Sequence, residues 1–198
     1  LSEYYPLFDE YYRVYSEKNT ELWSLYHHNR ISKETLIVER FRYPLQRVGA
    51  YNDKLVLQLN ADYLSVLSEQ GELVPQAREL LDYLKSRSYR LHIISNGFKE
   101  VQFKKMKSAG IENYFEKIIL SDEVGVNKPH PDIFRYALNK TGSSKNTSLM
   151  IGDNYDADIL GAMRSGLDQV YFNPLQKQIP DEFPTYEVQT LSEIQDIL

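Results

Sequence analysis

The chain has 198 residues, of which 42% are hydrophobic and 26% are charged, and its net charge is -5. This composition is typical of a folded globular protein. The net negative charge argues against a basic surface that would bind nucleic acid. The lack of cysteine excludes disulfides, thiolate metal sites and cysteine nucleophiles, and no apolar stretch approaches the ~20 residues of a membrane span. We therefore expect a cytoplasmic protein with neither a nucleic-acid nor a membrane partner.

Residues 1–70 carry helical patterns alone and predict a small all-α domain. Aromatic residues recur at steps of three and four from Tyr4 to Tyr15, as on one face of a helix. Ser32 is a suitable N-cap for a second helix, which Pro44 is expected to bend or end. Leucines between residues 55 and 67 predict a third helix.

Residues 71–198 predict an α/β domain, because apolar runs of strand length alternate with helical patterns. Helices are predicted near residues 77–84, 98–109, 131–140, 157–165 and 191–198, and strands at 91–94, 118–120, 149–151 and 170–172. Residues 173–184 are predicted to form an irregular loop. Such alternation favours a Rossmann-like parallel sheet with helices on both faces and ligands at the carboxyl ends of its strands.

Polar residues that suit one phosphate group follow three of the predicted strands. Ser95 and Gly97 come directly after the first strand, Lys128 precedes the helix near residue 131, and Asp153 and Asp158 flank the end of the strand at 149–151. Each feature by itself is also typical of an ordinary turn, a surface lysine or a helix cap. Their occurrence together, each after a parallel strand, is far more specific.

These residues resemble the motifs of the haloacid dehalogenase superfamily, and the resemblance covers the whole chain. Ser95 is similar to the second motif of that family, Lys128 to the third, and Asp153 with Asp158 to the fourth. Residues 1–70 lie where the subfamily with an all-helical cap domain carries that cap. The resemblance implies a cap at 1–70 on a Rossmann-like core at 71–198.

The resemblance also implies a reaction and the roles of individual residues. Ser95 and the backbone at Asn96 would bind the phosphoryl oxygens, and Lys128 would balance their negative charge. Asp153 and Asp158 would form the metal site, with Asp158 orienting the waters of the metal or the lysine. The implied activity is Mg²⁺-dependent hydrolysis of a small phosphorylated metabolite, a nucleotide or a sugar phosphate, through an aspartyl-phosphate intermediate.

The first motif of the family, an apolar strand ending in Asp-x-Asp, has no counterpart in this sequence. In the family this strand is the central one and its first Asp is the nucleophile. We therefore expect that the first core strand is missing, that the natural polypeptide begins roughly 25 to 40 residues earlier, and that the 198-residue chain is inactive alone. The missing N-terminal segment or a second copy of the chain would fill the place of the central strand.

Four residues of the helical segment are candidates for contacting the substrate, although aromatic residues at helical spacing more often pack in a core: Trp23, Tyr26, Arg40 and Arg47.

The sequence also leaves other functions open. A non-catalytic phosphate-binding or interaction module on the same fold is the main alternative. A response-regulator or dinucleotide-binding domain fits less well, because no Gly-x-Gly-x-x-Gly follows a strand.

Overall fold

The computed structural model describes residues 7–179 and 182–198. The chain divides into two compact units, Leu1–Glu69 and Gln70–Leu198. The start of the tyrosine-rich pattern, including Tyr4, lies outside the described residues.

The first unit contains the helices α1 (Phe8–His27), α2 (Lys33–Arg47) and α3 (Asp53–Glu69). The Ser32 side chain accepts a hydrogen bond from the Thr35 amide at 3.2 Å, which confirms the predicted N-cap of α2. Pro44 does not end this helix, because it lies in the last turn and is buried beside Phe41 and Leu45. A proline there removes one backbone hydrogen bond, while continuing the helix keeps Leu45 in the apolar core.

The second unit alternates helices and strands. Its helices are α4 (Ala77–Ser86), α5 (Lys99–Ala109), α6 (Ser121–Val124), α7 (Pro131–Thr141), α8 (Gly161–Arg164) and α9 (Ile194–Ile197). Its strands are β1 (His92–Ser95), β2 (Lys117–Leu120), β3 (Leu149–Gly152), β4 (Asp168–Phe172) and β5 (Tyr186–Val188). A π-helix at Tyr155–Leu160 precedes α8.

The described strands form two parallel sheets. In one sheet β1 pairs with β2, and in the other the order is β3, β4, β5. An apolar cluster built on α7 and α8 packs against Ile94 of β1 and Met150 of β3. A second cluster, built on α4, α9 and β4, packs against Leu149 and Ile151 of β3. The predicted α/β fold with parallel strands packed against helices is confirmed, although the described strands form two sheets where one was predicted.

Four elements differ from the prediction, one of them the four-residue helix α6, which was not predicted. The chain forms the strand β5 just beyond the predicted loop, in a run of only three residues that the sequence pattern does not distinguish from a turn. The helix expected at 157–165 is a π-helix followed by the short helix α8, and α9 is shorter than expected. None of the described residues forms a helix both long and apolar enough to cross a membrane.

Candidate active site

Four of the predicted site residues line one cavity of ≈ 920 Å³ in the second unit. Ser95 ends β1, Asp153 follows β3, Asp158 lies on the π-helix and Lys128 precedes α7. All four residues of β1 and all four of β3 line the same cavity. The structure therefore brings these predicted residues together at the carboxyl ends of two strands.

Lys128 and Asp158 form a buried ion pair. The Lys128 Nζ atom lies 2.6 Å from Asp158 Oδ1, and the two side chains are 10% and 7% exposed. Nζ also donates to the backbone carbonyl of Ile94 in β1, at 2.7 Å. An ammonium group has three protons, and the third has no acceptor among the described residues. Lys128 is thus held rigidly and retains one donor for an anion.

Asn96 fixes the backbone of Lys128. Its buried side chain donates from Nδ2 to the Lys128 carbonyl and accepts from the Lys128 amide at Oδ1, each at 2.8 Å. The pair of bonds joins the loop after β1 to the segment before α7. The family resemblance implied that the backbone at Asn96 binds phosphoryl oxygens. The contact of its side chain with Lys128 was not predicted, because only the folded chain brings residues 96 and 128 together.

Ser95 is partly buried at the end of β1. Its hydroxyl oxygen accepts a hydrogen bond from the Gly97 amide at 3.0 Å, which fixes the turn after the strand. A hydroxyl both accepts and donates, and the Ser95 proton has no acceptor among the described residues. The hydroxyl proton can therefore be donated to a bound oxyanion.

Asp158 turns back toward the strand that precedes it. Its Oδ2 atom accepts from the Asn154 amide at 3.1 Å, while Oδ1 holds Lys128. A Cβ atom at Gly152 would lie 2.4 Å from Asp158 Oδ2, so this approach requires glycine at residue 152. These contacts are the ones that the predicted role of orienting the lysine would require. Both this role and the place of Asp158 in the metal site stay predictions.

Asp153 is the exposed carboxylate of the site and accepts no hydrogen bond from a described residue. The Asp153 carboxylate acts on the neighbouring phenol of Tyr171, whose pKa is raised mainly by burial and to a smaller extent by the negative charges of Glu187 and Asp153. A carboxylate that lines the cavity and has no hydrogen-bond partner among the described residues fits one ligand position of Mg²⁺. No cluster of three or more His, Asp or Glu that could hold a metal occurs among the described residues. Asp153 can thus contribute one ligand to a metal that takes its other oxygens from elsewhere.

The predicted substrate residues have different environments within the helical unit. Tyr26 is buried, and Trp23 packs against it with ring centroids 5.7 Å apart. Arg40 is 1% exposed, donates to Asn60 Oδ1 at 2.7 Å, and lies over aromatic rings. Burial lowers the pKa of this guanidinium. Arg47 is exposed at the end of α2. A substrate role for these residues stays a prediction, and packing accounts for the contacts of all but Arg47.

The fold and the site define a class of enzyme. A Rossmann-like α/β unit that gathers a hydroxyl, a lysine and two aspartates at the carboxyl ends of parallel strands is suited to a hydrolase acting on an anionic group. The sequence profile of the haloacid dehalogenase-like hydrolases matches residues 9–172. The chain belongs to this family and is a hydrolase.

Relatives with known names agree with this assignment. Pyrimidine 5′-nucleotidase YjjG of Escherichia coli is 31% identical over 191 residues, which are 96% of this chain and 83% of that protein. Glyceraldehyde 3-phosphate phosphatase of Pyrococcus abyssi is 38% identical over 133 residues, 67% of this chain and 56% of that protein. The magnesium-bound crystal structure of the HAD-hydrolase YfnB from Bacillus subtilis has a TM-score of 0.87 and 29% identity, covering 94% of this chain and 81% of that one.

Proposed function

We propose that the second unit carries the phosphate-binding and metal-binding groups of an Mg²⁺-dependent phosphomonoester hydrolase. The observation that carries the proposal is the set of unused groups that face one cavity. Lys128 retains a proton, Ser95 retains a proton, and Asp153 retains both carboxylate oxygens for a metal. Two donors and an anionic metal ligand that line one cavity suit a phosphate monoester.

Each group then has a chemical role toward the phosphate. Ser95 and Lys128 donate hydrogen bonds to the non-bridging phosphoryl oxygens, whose negative charge persists through the reaction. Asp158 and Asn96 keep Lys128 in position, so that no reorganisation accompanies the chemical step. Mg²⁺, when it is bound at Asp153, would supply a Lewis acid that polarises a phosphoryl oxygen.

The nucleophile has to come from another carboxylate. In the reaction of this class a carboxylate oxygen bonds to phosphorus, the ester P–O bond breaks, and the leaving alkoxide takes a proton from a general acid or water. Water then hydrolyses the acyl phosphate and regenerates the carboxylate. Asp158 is bound to Lys128 and Asp153 is the proposed metal ligand, so neither is free to attack. We expect the 198-residue chain to bind phosphate and Mg²⁺ weakly and to hydrolyse nothing alone.

The proposed substrate is a nucleoside monophosphate, with a sugar phosphate as the second candidate. Two relatives that each match at least 95% of this chain, those of Escherichia coli and Streptococcus pneumoniae, are pyrimidine 5′-nucleotidases. Glyceraldehyde 3-phosphate phosphatases match shorter parts of the chain. The longer matches favour the nucleotide.

The metal assignment can be tested on the 198-residue chain itself by calorimetric titration of Mg²⁺ in the presence of inorganic phosphate. We expect Asp153→Asn to weaken Mg²⁺ binding by about tenfold or more, because magnesium prefers a charged oxygen ligand. Asp168→Asn is the matched control, since Asp168 lines the same cavity at the start of β4. Equal affinity in the Asp153 variant and the unmodified chain would contradict the assignment.

A further inference from the structure

Helix α5, which follows β1, places a glutamine side chain in the cavity of the candidate active site. Gln102 is half-buried and lines the same cavity as four other residues: Ser95, Lys128, Asp153 and Asp158. Its carboxamide has no hydrogen-bond partner among the described residues. A carboxamide has two donor protons and an acceptor oxygen. Gln102 therefore brings unused hydrogen-bonding groups to this cavity.

The side chain of Gln102 packs directly on Gly97. A Cβ atom at Gly97 would lie 2.8 Å from Gln102 Cδ and 3.0 Å from Cγ, and nearer still to the amide nitrogen Nε2. The position of Gln102 therefore requires glycine at residue 97. The backbone does not require it, because Gly97 is not among the glycines with a positive φ. The space that the carboxamide occupies thus accounts for this glycine.

Gly97 also belongs to the turn that holds Ser95. The Gly97 amide donates to Ser95 Oγ at 3.0 Å, which leaves the hydroxyl proton for a bound oxyanion. Gln102 packs on the same glycine through its amide group. One turn at the carboxyl end of β1 therefore positions both a hydroxyl donor and an amide donor.

A packing role alone does not explain a glutamine on this helix. The neighbouring inward-facing residues of α5, Val101 and Met106, are apolar and buried. An apolar side chain of similar length, such as methionine, would fill the same space without a polar group that lacks a partner. Withdrawing an amide from water without a partner is unfavourable, and a ligand that accepts its hydrogen bond offsets this cost. The carboxamide thus favours a ligand contact over packing.

We propose that Gln102 contacts the substrate and donates a hydrogen bond from Nε2 to a phosphoryl oxygen. The bound phosphate then has three donors from this chain: the Ser95 hydroxyl, the Lys128 ammonium and the Gln102 amide. The positive charge of Lys128 is already paired with Asp158, so neutral donors supply much of the stabilisation of the anion. The inference rests on the proposed function, because it requires that this cavity binds phosphate.

Phosphate affinity in variants of residue 102 tests this hydrogen bond. Inorganic phosphate is titrated into the 198-residue chain with Mg²⁺ present, and binding is followed by NMR. We expect Gln102→Ala to weaken phosphate binding about tenfold. Gln102→Glu should weaken it more, because a carboxylate would then face the phosphate. Gln189→Glu is the control with the same change of charge, since Gln189 is exposed and a glutamate there still accepts from Gln176 Nε2.

Gly97→Ala tests whether packing on Gly97 positions the carboxamide. In the unmodified chain the added methyl group would displace Gln102, so phosphate binding should weaken about as much as in Gln102→Ala. In the Gln102→Ala background the methyl group occupies the space that Cγ, Cδ and Nε2 leave, and it should change the affinity less than about twofold. Equal effects of Gly97→Ala in the two backgrounds would overturn the proposed positioning.

The NMR signals of the Gln102 side-chain amide give a readout that packing alone does not change. They are assigned by their absence from the spectrum of Gln102→Ala, and they should shift as phosphate is added. Amide signals that phosphate leaves unchanged, or an unchanged phosphate affinity in Gln102→Ala, would overturn the Gln102 contact alone. A chain that binds no phosphate would reject the proposed function and the Gln102 contact together.

Discussion

Lys128 shows how the site combines burial with charge. Its ammonium and the Asp158 carboxylate lie inside the second unit, where an ion without its partner is unfavourable. The attraction within such a pair roughly offsets its desolvation, so the pair mainly fixes geometry. The stabilisation is therefore visible chiefly when one partner is removed.

Replacing Lys128 with methionine should destabilise the chain strongly. The variant leaves Asp158 buried and unpaired, which costs about 3 to 5 kcal/mol in comparable cases. The double variant Lys128→Met with Asp158→Leu should lose less stability than the sum of the two single variants, because it removes both charges. The free energy of unfolding from urea denaturation measures this coupling, and strict additivity would show that the pair does not interact.

The hydrogen bonds of Asn96 to Lys128 predict that Asn96 contributes to the stability of the chain. Asn96→Ala removes both hydrogen bonds to the Lys128 backbone and leaves a buried N–H and a buried C=O without partners. Each such group costs about 1 to 3 kcal/mol, so we expect a loss of about 2 kcal/mol or more in the free energy of unfolding. Asn139→Ala on the exposed face of α7 is the matched control. A loss no larger than that of the control would contradict the role of Asn96.

The residues of the site could be predicted from sequence to different degrees. Four site residues follow predicted parallel strands, whose carboxyl ends lie at the same edge of a sheet, so their proximity could be predicted from the topology: Ser95, Lys128, Asp153 and Asp158. The side-chain role of Asn96 depends on which loop lies opposite, and no local pattern in the sequence contains that information.

Strand β1 contains a partly buried histidine. Both ring nitrogens of His92 are buried and have no hydrogen-bond partner among the described residues. Burial, with a smaller effect from Arg90 and Lys117 against that of Glu116, lowers the pKa of His92. The folded chain therefore binds a proton at this residue less readily than the unfolded chain does.

This difference predicts a loss of stability on the acid side. Above the ordinary pKa of 6.5, His92 is neutral in both states and has no effect. As the pH falls below that value, the unfolded chain takes up the proton first, so the folded state loses stability until its own lower pKa is reached. His92→Phe should reduce the change in urea midpoint between about pH 7.5 and 5.5. His28→Gln, at an exposed residue, should keep the slope, and an unchanged slope in His92→Phe would contradict the prediction.

The helices and strands differ in how well they could be predicted from the sequence alone. The bounds of α7 and β3 were predicted to within one residue, because their apolar patterns are regular, whereas β4 begins two residues before its predicted start. β5 was missed because Tyr186 and Glu187 are exposed and only Val188 is buried. Its pairing with β4, not its own composition, makes it a strand.

At the scale of the whole molecule, the second unit holds all the groups proposed to bind phosphate and metal. The first unit carries the aromatic and arginine residues predicted to choose the substrate, and Arg47 is the exposed one at the end of α2. The sequence thus predicts that phosphate is bound by the second unit and that residues of the first unit contact the organic part of the substrate, and the second part stays a prediction.

The most direct test of this account measures the binding of inorganic phosphate to the 198-residue chain by calorimetry, with and without Mg²⁺. The account predicts that Mg²⁺ strengthens phosphate binding by about tenfold or more, that Asp153→Asn removes this effect, and that Asp168→Asn keeps it. Phosphate affinity that does not depend on Mg²⁺, or that depends on it equally in Asp153→Asn, would contradict the account.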